Sequence, residues 1–250
     1  MSQGVVLQAA ITSGATDSES CIMEAFVELD ARLNTVYREL RKAVRTNGLE
    51  KETALVLAQR AWLELRKAET EFCASGYDRT DAHMEALGFC DSILLELRAR
   101  TLRKYLNMAT APLTGMEPIP DPDAPFDASK CRNVVEDHPL CILAMFGHLK
   151  EEFESVYSRL RSTLHQRALR RETLLVATQE KWEAFAKFEL KVCAGHLKTD
   201  DEFIANGVCA NQLQALRVSM LRAALGCRAL RERHPALRGC GANGREQRNS

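Results

Sequence analysis

The sequence predicts an all-α protein made of two tandem antiparallel three-helix modules joined by a Pro-rich linker. Three observations predict it. The chain repeats itself at an offset of 120 residues, its apolar residues recur at helical spacing within each copy, and five of its seven prolines fall between the copies. The repeat superposes Cys21 on Cys141, Tyr37 on Tyr157, Gln59 on Gln179, Trp62 on Trp182 and Cys73 on Cys193, using both tryptophans of the chain. After a one-residue deletion the offset becomes 119 and pairs Cys90 with Cys209 and Arg98 with Arg217. Self-similarity on this scale marks each copy as a folding unit. The division expected is 18–106 for the first module, 107–130 for the linker, 131–226 for the second module and 227–250 for a basic tail.

The first helix of each copy carries one apolar seam. Ile22, Phe26, Leu29, Leu33, Val36 and Leu40 alternate steps of four and three, and Ile142, Phe146, Leu149, Phe153, Val156 and Leu160 repeat them, which is the stripe of an amphipathic helix. Thr46-Asn47-Gly48 breaks the chain before a second helix, from about Glu50 to Cys73, with Leu55, Ala58, Trp62 and Leu65 on one face. A third is expected from about Cys90 to Leu106, with Leu94, Leu97, Thr101 and Leu102 facing inward. Pro112, Pro118, Pro120, Pro122 and Pro125 prevent regular structure in the linker, and their stiffness would hold the copies apart.

Tyr37, Gln59 and Trp62, with Tyr157, Gln179 and Trp182, are the expected core markers. Glu69 and Glu189 lie near the same apolar face, and a carboxylate there needs a partner. Arg98 and Arg217 lean inward from the third helices, so the pairs expected are Glu69 with Arg98 and Glu189 with Arg217.

Net charge is zero, with 34 basic and 34 acidic side chains, so no overall field gathers nucleic acid. Only the tail is distinctly basic, with six arginines between Arg228 and Arg248. No apolar run approaches the roughly 20 residues of a membrane span, and the first residues show no secretory signal pattern. No nucleotide loop, nucleophile elbow or metalloprotease motif occurs, and no Cys/His cluster has zinc-ligand spacing. No enzyme activity, cofactor or metal is expected. A protein partner is.

The nine cysteines form no CxxC pair and point to disulfides and an oxidising compartment. In an antiparallel three-helix unit Cys21, Cys73 and Cys90 gather at one end, and Cys131, Cys141, Cys193 and Cys209 gather likewise. The bridges expected are Cys73 with Cys90 and Cys193 with Cys209, each across a short connector between adjacent helix ends. Cys131 would pair with Cys141 and Cys227 with Cys240, leaving Cys21 free or bonded between chains.

The string Leu29-Asp30-Ala31-Arg32-Leu33-Asn34-Thr35-Val36-Tyr37, then Ala58-Gln59-Arg60-Ala61-Trp62, then Cys73, Cys90 and Arg98, resembles the LprI-like lysozyme-inhibitor family over residues 18–106. The second copy keeps Tyr157, Gln179, Trp182, Cys193, Cys209 and Arg217, departs at Glu151-Glu152-Phe153-Glu154, and has the early Cys131 that many family members show. The resemblance implies a small exported bacterial domain, in some members an inhibitor of lysozyme, and so a periplasmic or secreted protein. The leading expectation is therefore a binding protein whose partner is a lysozyme-type glycosidase, its two-carboxylate cleft occluded by a projecting connector. The connectors are Ala74–Phe89, with Tyr77, Arg79 and His83, and Ala194–Val208, with His196 and Lys198. The alternative is an envelope structural, adaptor or immunity-type accessory protein with no lysozyme target.

Overall fold

A computed structural model of the chain describes residues 17–46, 49–76, 80–110, 139–196 and 201–225. Six helices account for nearly all of them: α1 Asp17–Arg45, α2 Leu49–Ala74, α3 Thr80–Thr110, α4 Pro139–Arg167, α5 Leu169–Ala194 and α6 Glu202–Leu225. No strand occurs among the described residues. The all-α expectation holds, with three helices per copy.

The third helices begin earlier than the sequence suggested, at Thr80 and Glu202 rather than near Cys90 and Cys209. In the second copy the cause is local. The Asp201 side chain accepts from the backbone N–H groups of Phe203 and Ile204 at 2.9 and 3.1 Å, capping the first turn. Ile204 and Val208 then bury against Ile142 of α4. Gly207 permits that approach, because a Cβ there would collide with the Ile142 side chain. The connectors shrink accordingly to residues 75–79 and 195–201.

Within each copy the first helix packs along the third and the second packs across both. Leu29, Leu33, Val36 and Leu40 of α1 meet Leu55, Ala58, Trp62 and Leu65 of α2 and Leu95, Ala99 and Leu102 of α3 in one buried cluster. From Leu29 onward the expected first-copy seam and the second-helix face are thus the core, whereas Phe26 and Phe153 are half-buried and Phe146, expected on the second copy's seam, is exposed. Of the third-helix positions expected to face inward, Leu94 and Leu102 are buried and Leu97 and Thr101 half-buried, and Leu95 and Ala99 are buried as well.

The copies are not held apart. The most extensive helix pairing in the molecule joins α2 of the first copy to α5 of the second. Lys51 Nζ donates to the Gly195 carbonyl at 2.9 Å, Lys181 lies 3.7 Å from Glu64, and Thr178 Oγ1 donates to the Ala68 carbonyl at 3.3 Å. Numbers rise on one helix as they fall on the other, so the pair is antiparallel. Trp182, Phe185 and Val192 join the first copy's core cluster, and Phe72 inserts into the second copy's cluster among Val156, Leu160, Leu164 and Leu175. Burial of these side chains, about 1.5–3 kcal/mol each, outweighs whatever stiffness the linker has. Its first residues, 107–110, belong to α3, and 111–130 lie outside the described residues, as does the tail from 227.

The junction has an approximate two-fold character. Lys51 and its repeat Arg171 each reach the opposite copy at the end of its second helix, Lys51 to the Gly195 carbonyl and Arg171 Nε to Ser75 Oγ at 3.3 Å. A cation at a helix C-terminus also complements its dipole.

Candidate binding surface

The recurrent polar residues prove to be internal. Arg98 Nε donates to Gln59 Oε1 at 3.1 Å and its Nη1 to Glu189 Oε1 at 2.6 Å. Arg217 Nε donates to Gln179 Oε1 at 2.9 Å and its Nη1 to Glu69 Oε1. Each arginine holds the glutamine of its own copy and the glutamate of the other. The expected same-copy pairs, Glu69 with Arg98 and Glu189 with Arg217, are therefore corrected to exchanged ones. The physical reason is the antiparallel α2/α5 packing, which carries the far end of each second helix to the other copy's third helix.

These groups are deeply placed. The side chains of Arg98, Arg217 and Glu189 are at most 2% exposed, and that of Glu69 is 12% exposed. The Arg98 guanidinium lies 5.9 Å from the Trp62 ring centre and 5.3 Å from that of Phe185, and the Arg217 guanidinium 5.3 Å from that of Trp182. Both tryptophans are buried, Tyr37 and Tyr157 half-buried. Burial pushes the Tyr105 hydroxyl well above its ordinary range, and the Glu189 charge adds to the push. Arg98, Arg217 and Glu189 are shut off from solvent, Glu69, Gln59 and Gln179 only partly so, and the cluster ties the two copies together.

Two disulfides close the helix ends as expected, Cys73 with Cys90 and Cys193 with Cys209. Cys141 is also disulfide-bonded, while Cys131, Cys227 and Cys240, and the side chain of Cys21, lie outside the described residues. Of the connector residues, Tyr77, Arg79 and Lys198 likewise fall outside them. His83 is on α3, half-buried, with Nδ1 3.0 Å from the Ala74 carbonyl. His196 is buried: its ring stacks on Tyr105 with centres 5.5 Å apart, and its Nδ1–H donates to the Val192 carbonyl at 2.5 Å. Burial holds its pKa below the usual imidazole value. His83 is taken into α3, which begins at Thr80, and His196, just beyond α5, is turned inward onto Tyr105.

An accessible surface of distinct character lies instead on the first copy. Arg100, Arg103, Lys104 and Asn107 follow one another on α3 at spacings of three, one and three residues, which makes one stripe on a helix. With Arg32 and Val36 of α1, Ala99 and Met108 they line an open groove of about 670 Å³. Its floor is apolar and its rim carries four cations. Arg103 Nη1 donates to Glu39 at 3.1 Å, Lys104 Nζ donates to Gln212 at 3.0 Å and Arg100 pairs with Glu96. Arg32 has no ion-pair partner among the described residues.

The second copy lacks this groove's charge. Glu152 replaces Arg32 and pairs with Arg222, the repeat of Arg103, while Ser219 and Ala223 stand where the first copy has Arg100 and Lys104. The fold does not require the four cations. Sequence reasoning passed over them because charge was summed over whole segments, although the stripe spacing was available. Among the described residues, no cluster of His, Cys, Asp or Glu could hold a metal, and no helix is long and apolar enough to cross a membrane.

The sequence model of the family described as "Lysozyme inhibitor LprI" matches residues 8–103, which span the first copy. No curated protein matches the chain. A solved structure, that of an uncharacterized protein from Burkholderia thailandensis, is similar with a TM-score of 0.51 at 17% identity, covering 88% of this chain and 94% of that one. That likeness concerns the fold alone, and it extends across both copies.

Proposed function

We propose that this chain is an exported bacterial protein that inhibits a lysozyme-type peptidoglycan hydrolase, and that the basic groove of the first copy is the surface that meets the enzyme. The observation that carries the reading is a coincidence of location: the copy matched by the inhibitor family is the copy that bears the groove. A hydrolase of this type works with two carboxylates in a cleft. Four cations above an apolar floor complement such a cleft, speeding encounter and disfavouring partners of the wrong charge. Two disulfides support an oxidising compartment, periplasmic or extracellular.

The test is inhibition of cell-wall lysis by a panel of lysozyme-type enzymes, using the full disulfide-bonded chain. Arg32→Glu installs the residue the second copy already carries beside Arg222, so the fold should tolerate it. Combined with Lys104→Ala it should weaken inhibition by about tenfold or more, chiefly through a slower on-rate, with circular dichroism unchanged. Inhibition should also fall as salt rises. Wild-type protein that inhibits no enzyme of the panel, or a double variant that inhibits as well as wild type, would remove this reading. The adaptor alternative is favoured by one specific feature, a second and quite different hollow on the other copy.

A further inference from the structure

The duplication supplies an internal comparison for that hollow, which is bounded by α4, α5 and α6. At the equivalent place in the first copy, the Arg66 guanidinium lies 5.6 Å from the ring centres of both Phe26 and Trp62. Its Nε and Nη2 donate to the two carboxylate oxygens of Asp91 at 2.5 and 2.6 Å. The site is full, and its filling is a flat cation between two aromatic rings.

The second copy keeps both rings, as Phe146 and Trp182, and loses the filling. Ala186 stands where Arg66 stands, Ala210 where Asp91 stands and Leu190 where Thr70 stands. What remains is an open hollow of about 460 Å³ against Phe146, Trp182, Ala186 and Ala210. Phe146 is 42% exposed, and Leu143 and Phe203 continue the uncovered apolar surface beyond it. Trp62 has two guanidinium groups within 6 Å of its ring centre, those of Arg66 and Arg98, whereas Trp182 has Arg217 alone among the described residues. Lys150, Glu154, Glu183 and Lys187 complete the lining; Lys150 stands where the first copy has Asp30, 3.7 Å from Arg66, and Glu183 accepts from Gln179 Nε2 at 3.1 Å.

We propose that this hollow is a docking slot for an arginine side chain supplied by a partner protein. The exposed Phe146 face, with the small Ala186 and Ala210 beside it and Trp182, 4% exposed, at the base, offers room for an arginine's apolar stem and planar head; the first copy builds the same pair of rings around an arginine. Arginine rather than lysine fits, since the guanidinium stacks on aromatic faces and is the more weakly hydrated cation. Glu154 and Glu183 at the rim, neither of them in an ion pair among the described residues, take over the countercharge that Asp91 and Asp30 supply in the first copy. The inference goes beyond the inhibitory reading and does not depend on it, because it concerns the other copy and a different chemistry.

The experiment is an NMR titration of the full-length disulfide-bonded protein with N-acetyl-arginine methylamide, reading the Trp182 indole N–H and the Ala186 amide. The citrulline and norleucine analogues serve as comparison probes. Arginine should give a saturable shift at both positions and bind about fivefold more tightly than either analogue. The variant A186R/A210D, which rebuilds the first copy's ion pair, should abolish the response; Ala186→Leu, which fills the hollow without a charge, should do the same if the double variant fails to fold. Norleucine binding as well as arginine, no saturable shift up to the probe's solubility limit, or an unchanged response in a folded slot-filled variant would each overturn the proposal. So would two results without probe: slot signals that move when the six tail arginines are replaced by glutamine, which assigns the slot to the chain's own tail, or signals that move with protein concentration, which assigns it to a second copy. Lysis inhibition measured on the same variants reads the inhibitory function separately.

Discussion

Exchange of the two buried ion pairs is open to a direct energetic test. Consider Arg98→Met, Arg217→Met, Glu189→Leu, Glu69→Leu and the doubles R98M/E189L, R98M/E69L and R217M/E69L. Removing Arg98 alone strands the fully buried Glu189 carboxylate and removes the cation over Trp62 and Phe185. Breaking a buried pair from one side costs about 3–5 kcal/mol, while replacing both partners by apolar groups is often neutral or stabilising. The Arg98/Glu189 cycle should therefore give a coupling of about 3 kcal/mol or more. The Arg98/Glu69 cycle joins residues of the same copy that do not bond each other, and it should be additive within about 0.5 kcal/mol. The Arg217/Glu69 cycle should be positive but smaller than the first, because the Glu69 side chain is 12% exposed where that of Glu189 is fully buried, and residual solvent screens the charge. Urea unfolding followed by far-UV circular dichroism, with disulfides intact and m values compared, reads all three. The losses are a large share of the roughly 5–15 kcal/mol that stabilises an ordinary protein, so the transitions are easily separated. A larger coupling for Arg98 with Glu69 than for Arg98 with Glu189 would refute the exchanged arrangement and return each copy to a self-contained unit.

Paired serine substitution at Cys73 and Cys90, or at Cys193 and Cys209, should destabilise the protein by about 3 kcal/mol, the chain-entropy value for loops near 15 residues. Peptide mapping of the oxidised protein should find Cys73, Cys90, Cys141, Cys193 and Cys209 all blocked; free thiols at these positions would contradict it. Acid should weaken the fold through His196, whose folded pKa is depressed by burial. Such a group leaves stability undiminished above its unfolded pKa of about 6.5. Stability then falls as pH drops from there to the folded pKa, because the unfolded chain takes the proton first. His196→Asn, which keeps a donor for the Val192 carbonyl, should flatten stability as pH falls below about 6.5 relative to wild type; an equally steep decline in the variant would exclude His196 as the source.

Helix content, the apolar seams and the position of both tryptophans were legible because each depends on periodicity within one segment. The bridges Cys73–Cys90 and Cys193–Cys209 were legible because antiparallel helices bring those ends together whatever else the chain does. The exchange of Glu69 and Glu189 was not. The repeat makes the two glutamates equivalent, so a pattern read along the chain is satisfied equally by pairing within a copy or across copies. What decides is the second face of α2, where Leu65, Ala68 and Phe72 find α5, and no periodicity names the partner of a face. The surface sites were hidden for another reason. Averaging over a repeat highlights what the copies share, such as Gln59 and Gln179, whereas the basic stripe and the hollow at Ala186 lie where the copies differ.

The near-symmetric α2/α5 junction has a consequence for how such a protein can change. Two separate but identical chains joined this way would form an isologous dimer, in which every substitution is made twice and every surface appears in duplicate. Covalent fusion lifts that constraint. Glu152 can close one face while Arg32 leaves its counterpart open, and Ala186 can empty one niche while Arg66 fills the other, because the shared seam of Gln59, Arg98 and Glu189 with Gln179, Arg217 and Glu69 continues to align the halves. One chain then displays two unlike surfaces, a basic groove and an apolar hollow, a combination that no symmetric pair of a single module can present.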